Sequence, residues 1–204
     1  MMKKSILSFV LVLMWGASAM SKNVSDMFID MPDTVMPYIS REQRIDLVNM
    51  RRIDTQTPAT VKSAFRSDIS LTELADDRLT IEDGSFQYAL IRLSGNGADS
   101  LFCELCTVQP VYSTTSCHIY DGNWNLVGKI DFDDFVSHFS NYTEEEAERL
   151  KLVEFSIVKV TVDSDVSLLH IEVRDPLPYK DENDRNGLIL QRNVKWDGES
   201  FKEF

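Results

Sequence analysis

The residues best placed for metal chemistry lie near the C-terminal end of the chain. Glu182, Asp184, Asn186, Gly187 and Ile189 fall at positions one, three, five, six and eight of an EF-hand-like loop. Hard oxygen ligands followed by a turn glycine are what calcium takes there. The pattern is incomplete, because position twelve is Asn193 where a bidentate acid belongs, and position one is Glu where Asp is usual. Pro176 and Pro178 precede the loop and argue against an entering helix. The expectation is a polar loop between two strands that does not bind calcium tightly. Glu182, Asp184 and Asn186 are the ligands if an ion does bind, and no motif calls for any other cofactor.

Cysteine offers a second chemistry. Cys103-Glu104-Leu105-Cys106 has the spacing of a redox motif. The run is strand-like, however, so residues three apart point to opposite faces, whereas a redox pair sits at a helix N-terminus. Cys103 and Cys117 make the better disulfide candidate. Leu101–Val108 and Ser113–Tyr120 read as a hairpin around Pro110. With Val108 facing Tyr112, Cys103 falls opposite Cys117, within disulfide reach, and Cys106 faces Thr114 and stays free.

The densest acidic region comprises Asp131, Asp133, Asp134, Glu144, Glu145, Glu146 and Glu148. Paired carboxylates can hydrolyse glycosides or esters, but acids at helix starts also serve the helix dipole, and nothing in the spacing pairs these across a cleft. His118, His138 and His170 are scattered, and Cys117 beside His118 is no dyad, since strand neighbours face apart. Tyr112, Tyr120, Trp124 and Trp196 near turns suit either a ligand platform or cross-strand packing. No catalytic residue is assigned.

The elements that must position these residues follow from periodicity and punctuation. Glycine follows Asp or Asn at Asp83-Gly84, Asn96-Gly97, Asp121-Gly122, Asn186-Gly187 and Asp197-Gly198, as in tight hairpins. Ser25 caps a short helix over Asp26–Met31. Ser40 with Gln43 forms a capping box for a longer helix reaching about Arg52. Pro58–Arg66 fits helix or strand. From Asp77 the period becomes two, giving strands at Arg78–Glu82, Phe86–Leu93, Leu101–Val108, Ser113–Tyr120 and Trp124–Lys129. Helices return at Asp131–Phe139 and, capped by Thr143 with Glu146, at Glu144–Leu152. Strands resume at Glu154–Val162, Ser167–Arg174, Leu188–Trp196 and Glu199–Phe204. The order helices-strands-helices-strands predicts an α+β fold with antiparallel hairpins. Tyr120-Asp121-Gly122 and Trp196-Asp197-Gly198 hint at a degenerate two-fold duplication, with halves meeting near residue 130. At the C-terminus, a two-residue Asp197-Gly198 turn places Val194 opposite Phe201 and Arg192 opposite Glu203.

The N-terminus reads as an export signal. Lys3-Lys4, an apolar run from Ile6 to Trp15 and Ala17-Ser18-Ala19 make the three-part pattern. The run is too short to span a bilayer, so residues 1–19 are expected to be removed. That leaves residues 20–204 as one α+β domain in the periplasm or outside the cell, with no transmembrane span. The whole chain carries a net charge of −12. The leader holds two lysines and no acid, so the mature chain is more acidic still. Such a surface repels nucleic acid and anionic membranes.

Asp30-Met31-Pro32-Asp33-Thr34-Val35-Met36-Pro37-Tyr38-Ile39, with Arg44-Ile45-Asp46-Leu47, resembles the opening of a family of exported Bacteroidetes proteins catalogued as a domain of unknown function. Leu71–Leu79 and His118–Trp124 fit the same family. The resemblance implies export and an envelope setting, and no activity or ligand. It also implies O-glycosylation at Asp-Ser/Thr followed by an aliphatic residue, which makes Thr34 in Asp33-Thr34-Val35 and Ser100 in Asp99-Ser100-Leu101 candidates. The functional expectation is a non-enzymatic binding module for a protein, peptide or glycan. The alternatives are an extracytoplasmic carboxylate- or metal-dependent hydrolase and a calcium-stabilised structural protein. A shallow, uncharged cleft favours the first, and a pocket that gathers acids favours the hydrolase.

Overall fold

The computed structural model describes residues 22–95, 100–108, 114–153, 157–175 and 187–204, without the side chain of Asp133. Two helices open it: α1 (Val24–Ile29) and α2 (Arg41–Ile53). Seven strands follow: β1 (Ala59–Lys62), β2 (Asp68–Leu74), β3 (Arg78–Glu82), β4 (Phe86–Leu93), β5 (Leu101–Val108), β6 (Thr114–Tyr120) and β7 (Leu126–Ile130). They pair in chain order as one antiparallel meander. After α3 (Phe132–Ser137) and α4 (Glu144–Leu152) come β8 (Ile157–Val162), β9 (Leu168–Arg174), β10 (Leu188–Trp196) and β11 (Phe201–Glu203). These form a four-stranded antiparallel sheet in the order β11-β10-β9-β8.

This corrects the α+β expectation and the duplication. The molecule is mostly antiparallel β, with sheets of seven and four strands and helices of only 6, 13, 6 and 9 residues. Two strands escaped the sequence reading. β1 falls in the ambiguous stretch after Pro58, and a bulge between Leu71 and Glu73 breaks the alternation of β2. The two Asp-Gly turns share only turn chemistry. Asp121 Oδ1 accepts from the amides of Asn123 and Asn125, and Asp197 Oδ1 from those of Glu199 and Ser200.

Alternation along the strands gives the large sheet two buried faces. Tyr88, Leu90 and Phe102 point to one side, where they meet Phe28, Leu47 and Val48 of the first helices. Ile91, Leu93, Cys103, Leu105, Cys117 and Ile119 point to the other, against Val158, Val160, Leu169, Ile171 and Val194 of the small sheet. Each fully buried side chain of this size contributes roughly 1.5–3 kcal/mol. The α1–α2 connection is tied by Arg44, 1% exposed, whose guanidinium donates to the carbonyls of Met31 at 2.6 Å and Ile39 at 2.9 Å. Its acidic neighbour Asp33 lies mostly in water, so main-chain dipoles carry most of the compensation for the buried charge.

Both tested hairpin registers differ from expectation by two residues. Leu105, not Cys103, faces Cys117, and Trp196, not Val194, faces Phe201. The connections are longer than a minimal turn allows: Val108 pairs with Thr114, and four residues separate Trp196 from Phe201. A shift of two preserves which face each side chain takes. Val194, Trp196 and Phe201 are accordingly all buried, while Lys195 and Lys202 are exposed. Glu203 still reaches Arg192, at 3.1 Å, and also accepts from the amide and hydroxyl of Ser140.

A polar contact joins the sheets inside their shared core. Thr107 and Thr115 are cross-strand partners whose hydroxyl oxygens lie 2.8 Å apart, and the Val160 amide of β8 donates to Thr115 Oγ1 at 3.0 Å. Replacing Thr115 by valine keeps the shape and orphans the buried Val160 N–H. We expect urea unfolding to show a loss of about 1–3 kcal/mol. An unchanged midpoint would mean that the contact contributes nothing.

Candidate functional site

The sequence-derived candidates are dispersed over the fold. Glu182, Asp184 and Asn186 lie outside the described residues, as does Tyr112. Cys103 and Cys117 face the small sheet and are fully buried, while Cys106 lies on the opposite face. Thr34 is exposed in the turn after α1, whereas Ser100 is half-buried at the start of β5. The acids of α4 serve their own helix. Glu146 closes the capping box with Thr143 and also meets Arg192 at 2.9 Å and 3.0 Å, which holds its carboxyl down at about 2. Glu148 pairs with Lys151. Trp124 and Trp196 are packed, with their indole N–H groups donated to the carbonyls of Met27 and Ser94. Among the described residues no three His, Cys, Asp or Glu side chains are grouped to hold a metal ion.

One polar cluster was missed. Glu104 on β5 is 6% exposed and directly opposite His118 on β6. Its Oε2 lies 3.2 Å from His118 Nδ1, yet neither atom has a well-aligned hydrogen-bond partner. The Tyr120 hydroxyl bonds the same carboxyl, and Cys106 and Tyr88 lie close enough to feel its charge. Burial raises the carboxyl above the ordinary range, although His118 and Tyr120 oppose this. The neighbouring Cys106 thiol is also pushed up, by burial and by Glu104, so it is a poor thiolate. The cluster can hold a proton but presents no activated nucleophile.

The second feature is a groove. The small sheet covers only part of the large one, and at its margin the edge strand β8 stands over the exposed floor of β2–β5. The cavity there has a volume of ≈ 280 Å³. Its floor carries Thr72, Thr80, Gln87 and Ala89, with the buried Thr107 at its inner end, and its wall is Val160–Val162. The charged groups lining it are Glu73 and Arg78, which neutralise each other at 2.7 Å. Arg78 also donates to the Asp163 carbonyl at 2.8 Å and ties the β8–β9 turn to the large sheet. The ladder fixes where the β8 main chain points. Asp163 donates to the Leu168 carbonyl, so the next pair, Val162 with Leu169, turns its N–H and C=O groups away from β9. Val160 shares that orientation, and its N–H is the one held by Thr115.

Another cavity, of ≈ 360 Å³, lies between α3, β7 and the β10–β11 turn, lined by Lys129, Asp134, Phe135 and His138 among others. His138 is already engaged with the Asp134 carbonyl at 2.8 Å.

Residues 16–190 match the family described as protein of unknown function (DUF3256), and the chain belongs to that family. This agrees with the part of the sequence resemblance that concerns a domain of unknown function. No curated protein matches. Among solved structures, the chain is similar to a domain of an uncharacterized protein from Porphyromonas gingivalis W83, with a TM-score of 0.66 and 16% identity over 90% of this chain and 98% of that one. At this identity the likeness speaks for the fold alone. No helix among the described residues is long and apolar enough to cross a membrane.

The raised carboxyl of Glu104 makes stability depend on pH with a definite sign. The folded state keeps this proton to a higher pH than the unfolded chain does, so the Glu104 contribution is fully present below about pH 4.3 and is lost as pH rises through the folded value. Glu104→Gln removes this titration. Urea titrations should find the variant gaining on wild type between pH 4 and pH 7.5. A constant or reversed difference would show that His118 and Tyr120 outweigh burial.

Proposed function

We propose that this protein is an exported binding module of the bacterial envelope, and that the groove beside β8 takes an extended peptide segment of a partner protein. The export half rests on the leader pattern of residues 1–19. The binding half rests on the groove, whose lining is hydroxyl, amide and methyl groups around one self-neutralised ion pair. A shallow cleft whose charges cancel supports a binding site over a hydrolase. The outward main chain of Val162 supplies the donor and acceptor that an added strand needs, and the threonines of the floor accept side chains of varied type. A glycan fits less well, because the Trp124 and Trp196 rings that would stack on sugar faces are 9% and 5% exposed. The excess of acid elsewhere on the chain favours partners whose flanks are basic.

Selection of a displayed random-peptide library on the folded chain tests this reading. Enriched peptides should bind wild type and Val127→Arg alike, since Val127 is exposed at the other edge of the large sheet. They should lose tenfold or more on Ala89→Arg, which fills the groove floor, with folding checked by melting. No enrichment, or equal binding to Ala89→Arg, would sink the proposal.

A further inference from the structure

The three cysteines divide by face. Cys103 and Cys117 both point into the core between the sheets, are 0% exposed, and hold their sulfurs 3.4 Å apart. Cys106 points to the helix side of the same sheet. Cys103 faces Ile119 and Cys117 faces Leu105, so the two cysteines are diagonal neighbours. We infer that Cys103 and Cys117 form a disulfide when the chain folds under oxidising conditions, and that Cys106 remains a single thiol.

The sulfurs must close by about 1.4 Å to reach a bond of about 2.05 Å. They are in van der Waals contact already, and no side chain stands between them. Cys106 cannot compete in the folded sheet, because pairing with either partner would have to pass through the sheet. The sequence reading names the same two cysteines as direct cross-strand partners, whereas here they meet as diagonal neighbours.

The chemistry is thiol–disulfide exchange with the disulfide of a dithiol oxidant. One thiolate attacks an oxidant sulfur to give a mixed disulfide, and the second thiolate attacks that disulfide and releases the oxidant. The two cysteines lose two electrons and two protons, and the oxidant leaves as two thiols. This order has a structural consequence. Both sulfurs are sealed beneath β8 and β9, so the oxidant reaches them only before the small sheet packs onto the large one. In the folded reduced protein the Cys117 contact and burial hold the Cys103 thiol far above the ordinary range, and exchange there is blocked twice over.

Two preparations of the full mature chain test the inference, and they separate it from the export reading on which the cellular occurrence of the bond rests. In the first, reduced and denatured chain is refolded with oxidised and reduced glutathione, alkylated and mapped by mass spectrometry without reduction. A Cys103–Cys117 peptide with alkylated Cys106 is expected, and the urea midpoint should fall on reduction in wild type but not in Cys103→Ser. Three alkylated cysteines, or any linkage through Cys106, overturns the inference. Folded reduced chain given the same oxidant should stay unlinked at Cys103 and Cys117, and rapid linkage there would overturn the claim that oxidation precedes packing. The second preparation is the chain isolated from the envelope of expressing cells. If it lacks a bond that refolding forms, export into an oxidising compartment fails and the pairing stands.

Discussion

The hydroxyl of Thr115 holds the position on which the rest of this architecture depends. It sits in an otherwise apolar core, touches the hydroxyl of its cross-strand partner Thr107, and accepts the amide of Val160. A sheet edge laid against another sheet presents main-chain groups that hydrocarbon cannot satisfy. Here one such group is met by a side chain of the opposing sheet. That fixes where β8 comes down, and so where the small sheet stops and the exposed floor of the large one begins. Apolar contact alone would permit the two sheets to slide. The Thr115 contact, with Arg78 holding the Asp163 carbonyl at the turn, selects one placement.

The groove is thus a by-product of incomplete cover. Four strands lie across seven, and the strands left bare carry threonine, glutamine and alanine on that face, while their other face is packed under α1 and α2. The same sheet therefore has one face packed under the helices, and another that is apolar beneath the small sheet and polar, with the paired Glu73 and Arg78, at the groove. The chain places its ionisable oddity elsewhere. Glu104 and His118 lie on the helix side, where the packing of α1 and Trp124 gives way to open sheet. Of the dense acidic region, the glutamates of α4 serve as cap, dipole complement and anchor to Arg192.

Much of this was legible in the residues. The bounds of β3, β4, β5 and β10 and both capping boxes follow from alternation and from Ser40/Gln43 and Thr143/Glu146. The balance of helix and strand was not legible, because β1 is short and the bulge in β2 disrupts its period. Two hairpins slipped by two residues; at the C-terminal one, Asp197 holds a longer turn than the Asp-Gly dipeptide suggests, by accepting from the amides of Glu199 and Ser200. Face assignments survived that slip, and partners did not. The two-residue shift is what brings Glu104 opposite His118. Arg44 escaped because a charged helix residue is ordinarily exposed, and only the fold brings the carbonyls of Met31 and Ile39 around it. The groove itself has no signature in the chain, since it lies between strands about 80 positions apart in sequence, a separation that periodicity does not see.

Backbone amide shifts of the labelled mature chain, recorded while a groove-selected peptide is added, test the central claim most directly. Strand addition at the free edge of β8 predicts that the Val162 amide moves and becomes protected from hydrogen exchange. Amides of β2 and β3 bordering the floor should respond with it, and those of His118 and Lys129 should stay still. Changes confined to His118, Lys129 and their neighbours, with Val162 unaffected, would contradict the account and transfer the binding site to the opposite face of the sheet.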